Sequence, residues 1–323
     1  QTLEITATSS DQTLIPNASI VITPSMPGAA TTASLVFTPA ANRNGGPVTI
    51  TIKVKDNGLT ANGGEDTVFT SFVVNVTPVN DEPTLTVPAS FTIFEDDVGN
   101  PQHVTLSGIT TGPFELSQNI STITITSSDQ TIIPNANLVQ GVLSGGNLPL
   151  TITPLANQFG SVTITVTVTD DGSGVAPNDN SVTKTFTINV LSVNDAPTFT
   201  GVPPLSPLTI LEDAAEQTIN WTGSAAGPAN ESGQTLLLSA VSFDTNLIAS
   251  PIVSSIVGGQ ATIKFTPTGQ ANGQTTIRIT LQDLTGGTAN GGIDTYTQDI
   301  VVNVTPVNDA PLLNAITSPP AIL

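Results

Sequence analysis

Along much of this chain apolar and polar residues alternate one by one. Around Val162, Ile164, Val166 and Val168 the intervening positions are threonines, a period of two that places four aliphatic side chains on one strand face and that no helix keeps. Phe186, Ile188 and Val190 repeat the pattern, as do Phe72, Val74 and Val76, and later Ile300, Val302 and Val304. Between residues 82 and 195 alternating segments fall near 90–94, 103–109, 121–127, 137–143, 148–153, 161–169 and 182–190, with Gly and Pro placed between them. Seven short antiparallel strands predict an immunoglobulin-like β-sandwich.

The pattern recurs as a whole. PVNDEP surrounds Asp81, SVNDAP surrounds Asp195 and PVNDAP surrounds Asp309, and the valines Val79, Val193 and Val307 stand 114 residues apart. Other landmarks keep their order within each period: SSDQTLIP, SSDQTIIP and SFDTNLIA, then TIKVKDNG, TVTVTDDG and RITLQDLTG. A fixed period of this length means tandem domains. The predicted fold is therefore all-β, an array of tandem seven-stranded immunoglobulin-like sandwiches arranged as a rod. Residues 1–81 form an incomplete repeat lacking its first strands, 82–195 and 196–309 form complete repeats, and 310–323 read as the first strand of a following repeat or a donor strand for a neighbouring copy.

Charge narrows the partners. The 323 residues carry 25 acidic against 6 basic side chains, a formal net charge of −19, which excludes the basic stripe a nucleic-acid surface needs and makes cations the natural partners. Without cysteine there is neither a disulfide frame nor a thiolate site. No run of about 18 apolar residues offers a membrane span, and no basic, apolar signal segment opens the chain.

Fifteen of the 25 acids occupy recurring places. Strand parity sends Glu95 and Asp96, Glu212 and Asp213, and Asp11, Asp129 and Asp244 to one pole of each sandwich. It sends Glu115, Glu231, Asp56, Asp170 and Asp283 to the other pole, where the Asn-Asp linker enters, so each junction gathers carboxylates from both neighbours. Asp170 continues the inward series of 162, 164, 166 and 168. Asp129 likewise continues Ile123, Ile125 and Ser127, and Glu95 continues Phe91 and Ile93. Clustered carboxylates in a partly dry seam take up protons unless a cation balances them. Calcium suits the need, because it accepts six to eight oxygens from carboxylates, amides and carbonyls, and no His or Cys cluster offers a softer metal a home. The plainer reading is that Asp, Asn and Gly end strands because turns need them. That reading comes first for Asp66 and Asp294, whose place is taken by Asn180 in the middle repeat.

V-x-D-x-G followed by V-N-D-x-P resembles the end of a cadherin repeat, and more closely the cadherin-like or immunoglobulin-like tandem repeats of bacterial surface proteins. The resemblance covers the whole chain. It implies calcium at the junctions, stiffening a string of domains for adhesion or surface architecture outside the cell. It also implies Asn80, Asp81, Asn194, Asp195, Asn308 and Asp309 as linker ligands. Asp56, Asp170 and Asp283 match the V-x-D element, and Glu95 and Glu212 match the acid after the first strand. The departure is the V-N-D linker, shorter than the cadherin D-x-N-D-N, which leaves the number of ions per junction open.

The opening QTLEITATSSD aligns with GQTLLLSAVSFD from Gly233, and the closing APLLNAITSPPAIL aligns with a first strand. Copies are expected to meet head to tail, either as a window on a longer array or by strand donation into a filament. A catalytic reading has little to build on, since His103 is the single histidine and no nucleophile-base set surrounds it. The alternative function is an adhesin that recognises a glycan or host protein, with Trp221, Asn220 and Asn230 as the patch to inspect.

Overall fold

The computed structural model describes residues 2–23, 32–58, 60–175, 178–201 and 206–314. Among them the regular structure is β-strand, broken only by six single-turn 3-10 pieces. No helix is long and apolar enough to cross a membrane. The seven segments expected in the middle repeat are all strands: Phe91–Phe94, Gln102–Thr110, Ile120–Ser127, Leu138–Gln140, Leu148–Ile152, Gly160–Asp170 and Ser181–Leu191.

Two features differ from the sequence reading. An eighth strand, Thr84–Thr86, follows the linker directly and pairs antiparallel with Gln102–Thr110. It buries one side chain, Leu85, too little for alternation to reveal it. The second difference is direction. In the last repeat Thr198–Phe199 pairs antiparallel with Ser224–Ala225, and then Leu208–Leu211 runs parallel to Thr295–Thr305, with Leu208 opposite Val302 and Ile210 opposite Val304. The first strand therefore divides between two sheets, and its second half lies beside the final strand in the same direction.

The chain forms two compact units: Gln1–Phe91 with Asn100–Thr153 and Ser161–Asn189, and Thr92–Gly99 with Pro154–Gly160 and Val190–Leu323. The division does not follow the 114-residue period, because two loops of the middle repeat group with the last one.

In the first unit, Leu3–Ser9, Gly45–Asp56 and Thr67–Val76 make a three-stranded sheet over a small core of Leu14, Ile15, Val48 and Ile50. Thr67–Val76 is an edge strand there. Further on, Leu138–Gln140, Leu148–Ile152, Gln102–Thr110 and Thr84–Thr86 form one sheet in that order, while Gly160–Asp170 pairs antiparallel with Ile120–Ser127 in another. Val162, Ile164, Val166 and Val168 are buried as their alternation requires, each contributing about 1.5–3 kcal/mol of hydrophobic stabilisation.

In the second unit, Leu208–Leu211, Thr295–Thr305, Gly273–Asp283 and Leu236–Ser242 form a four-stranded sheet. A second sheet contains Gln217–Trp221, Ala261–Phe265 and Ile252–Val253. Their shared core includes Ile219, Trp221, Ile263, Ile277, Ile279 and Ile300.

Matching core positions are unequally covered: Ile300 is 0% exposed and Phe186 4%, but Phe72 is 39% exposed. Ile300→Ala is accordingly expected to cost about 2–5 kcal/mol of stability. Phe72→Ala should cost less than half as much although it removes a larger side chain. Hydrogen exchange of the whole chain, resolved by segment, measures both; equal losses would contradict the open core of the first repeat.

Candidate metal centre

Strand alternation delivers acids to the core face. Asp170 ends the inward series of Val162–Val168 at 2% exposure, and Asp283 ends the series Ile277, Ile279 and Leu281 at 1%. Glu95 and Glu212 follow the inward Ile93 and Ile210 and are equally buried. Together with Glu231 these are the buried carboxylates among the described residues, and all five belong to the expected metal set.

At the first linker, Asn80 is clamped to the repeat that follows. Its N–H donates to Asn178 Oδ1 (2.7 Å), its carbonyl accepts from Asp179 N–H (3.0 Å), and its Nδ2 donates to Asp179 O (2.6 Å) and Asp170 Oδ1 (3.3 Å). Gly172 N–H also donates to Asp170 Oδ1 (2.7 Å), and Asp81 N–H donates to Glu115 Oε1 (2.8 Å). The second linker repeats this. Asn194 Nδ2 donates to Ile293 O (2.6 Å) and Asp283 Oδ2 (3.1 Å), its carbonyl accepts from Ile293 N–H (2.8 Å), and Asp195 N–H donates to Glu231 Oε1 (3.0 Å).

These bonds use one oxygen of Asp170, Glu115 and Glu231 and strand the other. Nine buried side-chain polar atoms among the described residues have no hydrogen-bond partner, and seven are oxygens of these two junctions. They are Asn80 Oδ1, Glu115 Oε2, Gln118 Oε1 and Asp170 Oδ2 at the first, and Asp195 Oδ2, Glu231 Oε2 and Gln234 Oε1 at the second. A buried acceptor without a donor costs about 1–3 kcal/mol and calls for an ion or water. Glycines keep the space around these oxygens clear. A Cβ at Gly172 would strike Asn80 Oδ1, one at Gly286 would strike Asn194 Oδ1 and Asp283 Oδ1, and one at Gly112 or Gly227 would strike the Glu115 or Glu231 Oε2.

The preceding repeat contributes Glu95 at the second junction. Its Oε1 accepts from Val193 N–H (2.9 Å), and Asn230 Nδ2 lies 3.5 and 3.4 Å from its two oxygens. Glu212 repeats the first contact with Val307 N–H (2.8 Å) and accepts from Asn272 Nδ2 (3.2 Å). Burial first, then the negative charges of Asp96, Asp195 and Glu231, raise Glu95 above the usual carboxylate range. Asp195 is raised by burial and by Asp96. Glu231 is raised by burial and by Asp195, Asp283 and Asp96. The three ion pairs among the described residues, Lys55–Asp66, Lys264–Glu216 and Arg278–Asp299, involve none of these acids.

No group of three or more His, Cys, Asp or Glu side chains is arranged to hold a metal among the described residues. The donor sets are mixed instead, two or three carboxylates with Asn and Gln carbonyls, which a hard, flexible ion such as calcium accepts and zinc does not. The residues present fit calcium on the stranded oxygens.

Several expected ligands lie elsewhere. Asp11 and Asp129 close turns, each with Oδ1 accepting from the N–H and hydroxyl of the threonine two residues on, Thr13 (2.9 and 2.7 Å) or Thr131 (2.8 and 2.6 Å). Those bonds hold both carboxyls below their ordinary range. Asp244 does the same with Asn246 N–H (2.9 Å). In all three the Oδ1 serves a turn. Asp56 keeps the turn bond to Gly58 N–H (2.6 Å). Asp96 is exposed and accepts from Asn157 N–H (3.2 Å), while Asp213, Asn308 and Asp309 are exposed.

Asp66, Asn180 and Asp294 each offer a backbone carbonyl to the N–H of Asp56, Asp170 or Asp283, the turn role expected of them. Gln118 and Gln234 were missed. Their signal was E-L-S-Q and E-S-G-Q at matching places, overlooked because the residue is neutral. Trp221 is 1% exposed and stacks on Phe199, so it offers no platform to a sugar. His103 faces Thr151, Nδ1 to Oγ1 3.1 Å, on the exposed side of its strand.

No family model matches the chain, and no curated protein is similar to it. Among solved structures it is similar to human CDH23 EC21-23, at 14% identity over 93% of this chain and 88% of that one, with a TM-score of 0.43. It is similar to the human Desmocollin-1 ectodomain at 14% identity over 95% and 55%, TM-score 0.36. It is also similar to an endo-fucoidan hydrolase of glycoside hydrolase family 107 at 17% identity over 94% and 39%, TM-score 0.28. The chain thus spans 55% of the desmocollin structure and 39% of the hydrolase.

The raised carboxyls set a pH dependence. A raised acid stabilises the metal-free fold fully below its unfolded value, and that contribution is lost as pH rises through the folded value. A Glu95→Gln, Glu231→Gln chain carries no such charge. In EGTA its melting temperature should exceed that of the unaltered chain by a margin that widens from about pH 4 to about pH 7. A margin independent of pH would mean that these acids are hydrated in the folded chain.

Proposed function

We propose that this chain is a structural, calcium-binding repeat protein of the cell surface or extracellular space, in which Ca2+ clamps each interdomain junction. The observation that carries this reading is the set of seven stranded acceptor oxygens at the two linkers, in which Glu115 and Gln118 are matched by Glu231 and Gln234. When bound, calcium supplies the positive charge that the clustered acids lack. Asn80, Asp170, Glu115 and Gln118 would hold it at the first junction. Asp195, Glu231 and Gln234 would hold it at the second, with Glu95, Asp96 and Asp283 in the same field. Sites with so few carboxylates belong to the weak end of calcium binding, about 10⁻⁴–10⁻³ M, which is the extracellular range. The role is architectural rather than catalytic.

Copies of the chain would join head to tail. In the last repeat a first strand, Leu208–Leu211, flanks the final strand in parallel. The matching strand Thr67–Val76 is at a sheet edge among the described residues, and its Val68, Phe69 and Val73 are exposed. The segment 310–323 of a neighbouring copy, most of which lies outside the described residues, carries the apolar sequence such a strand needs.

Calcium at about 100 times its dissociation constant should add about 2.7 kcal/mol per occupied site, seen as a melting temperature that falls on chelation with EGTA. Glu231→Gln should weaken the second site by at least about 10-fold in calorimetric titration. A melting point indifferent to EGTA would remove calcium from the proposal. For assembly, negative-stain images in calcium should show end-to-end series that shorten when the tail segment is deleted. Single copies at every concentration would dismiss the head-to-tail contact while leaving the metal sites standing.

A further inference from the structure

The two junctions are not equivalent, and one difference between them lies at a single pair of positions. Phe114 directly precedes Glu115, as Asn230 directly precedes Glu231. At the second junction Asn230 points its amide at the Glu95 carboxylate. At the first junction Phe114 instead lies under the guanidinium of Arg43, whose central carbon is 3.8 Å from the ring centroid. Phe114 has a backbone φ of +62°, in the left-handed region that bulky residues avoid. Its side chain is 55% exposed, so burial does not compensate for that strain. The Arg43 contact is the favourable interaction the ring makes.

Arg43 comes from the repeat before the linker and is particular to it. Asn42, Asn157 and Gln270 share the same left-handed turn conformation in the three repeats, and the next residue is Arg43, Gln158 or Ala271. Arg43 also lines, with Asp81 and Glu115, a small cavity beside the linker. Its charge therefore stands next to two of the acids of the first junction.

From this geometry we infer that the first junction carries a latch that needs no metal: Arg43 stacked on Phe114, a resident cation joining the two repeats across the linker. Calcium adds to this junction but is not what keeps it closed, whereas the second junction depends on calcium. The second half of this statement rests on the calcium reading above; the latch itself does not.

The absence of cysteine permits nitroxide pairs at engineered cysteines in the whole chain, Thr70 with Gln140 across the first junction and Gln140 with Thr245 across the second. Distance distributions are recorded by pulsed electron paramagnetic resonance in calcium and after EGTA. In the otherwise unaltered chain the first pair should keep its narrow distribution in EGTA while the second broadens. Arg43→Gln, which installs the residue of the middle repeat, should reduce the latched fraction of the first pair in EGTA by a factor of about 2 to 5.

Phe114→Asn should do the same without unfolding the repeat, because asparagine tolerates the left-handed backbone. An unchanged melting temperature for that variant separates loss of the latch from loss of the fold. A first pair that broadens in EGTA as much as the second, or that ignores both substitutions, overturns the latch. If the substitutions loosen the first pair but EGTA broadens neither, the calcium reading fails and the latch survives.

Discussion

A carboxylate that leaves water must be given protons, donors or a cation, and the fold turns on how that debt is settled at each strand end. The alternation that packs Val162 through Val168 into the core also turns Asp170 inward, one step beyond the last aliphatic residue. A linker amide and a glycine N–H satisfy one of its oxygens and leave the other without a donor. Asp81 and Asp195 bring the same problem to Glu115 and Glu231: a backbone N–H for one oxygen and nothing for its twin. Replacing such groups with apolar ones would be the cheaper route to a stable sandwich. Keeping them leaves buried acceptor oxygens without donors.

The same hydrogen bonds show to which repeat a linker belongs. Asn80 and Asn194 each exchange two backbone-level contacts with the loop before the last strand of the following repeat, at Asp179 and Ile293. To the preceding repeat the linker is tied more lightly, through Val193 to Glu95 and Val307 to Glu212. The first two V-N-D segments are thus built into the domains they introduce.

Much of this was legible in the sequence. Period-two alternation located the middle repeat's seven strands, and strand register placed Asp170, Glu95 and, by recurrence, Asp283 and Glu212 on the core side. At Asp11, Asp129 and Asp244 a strand end is also a turn start. There the nearby donors at Thr13, Thr131 and Asn246 occupy one carboxylate oxygen of each. Gln118 and Gln234 were out of reach of an account based on charge, since a neutral amide declares its role only when its oxygen is found buried and unpaired. The parallel direction of the first strand was also hidden: alternation fixes which side chains face inward, and says nothing of which neighbour a strand chooses.

That direction has a mechanical meaning. In the last repeat the first strand enters beside the final strand and both run the same way, Leu208 opposite Val302 and Leu211 opposite Thr305. A pull applied along the chain takes the first strand by its beginning and the final strand by its end, so the two slide past each other. The bonds between them are then loaded together, where an antiparallel pair gripped at neighbouring ends would open one bond at a time. Resistance to traction in the last repeat is set by how fast this patch shears rather than by the equilibrium stability of the sandwich.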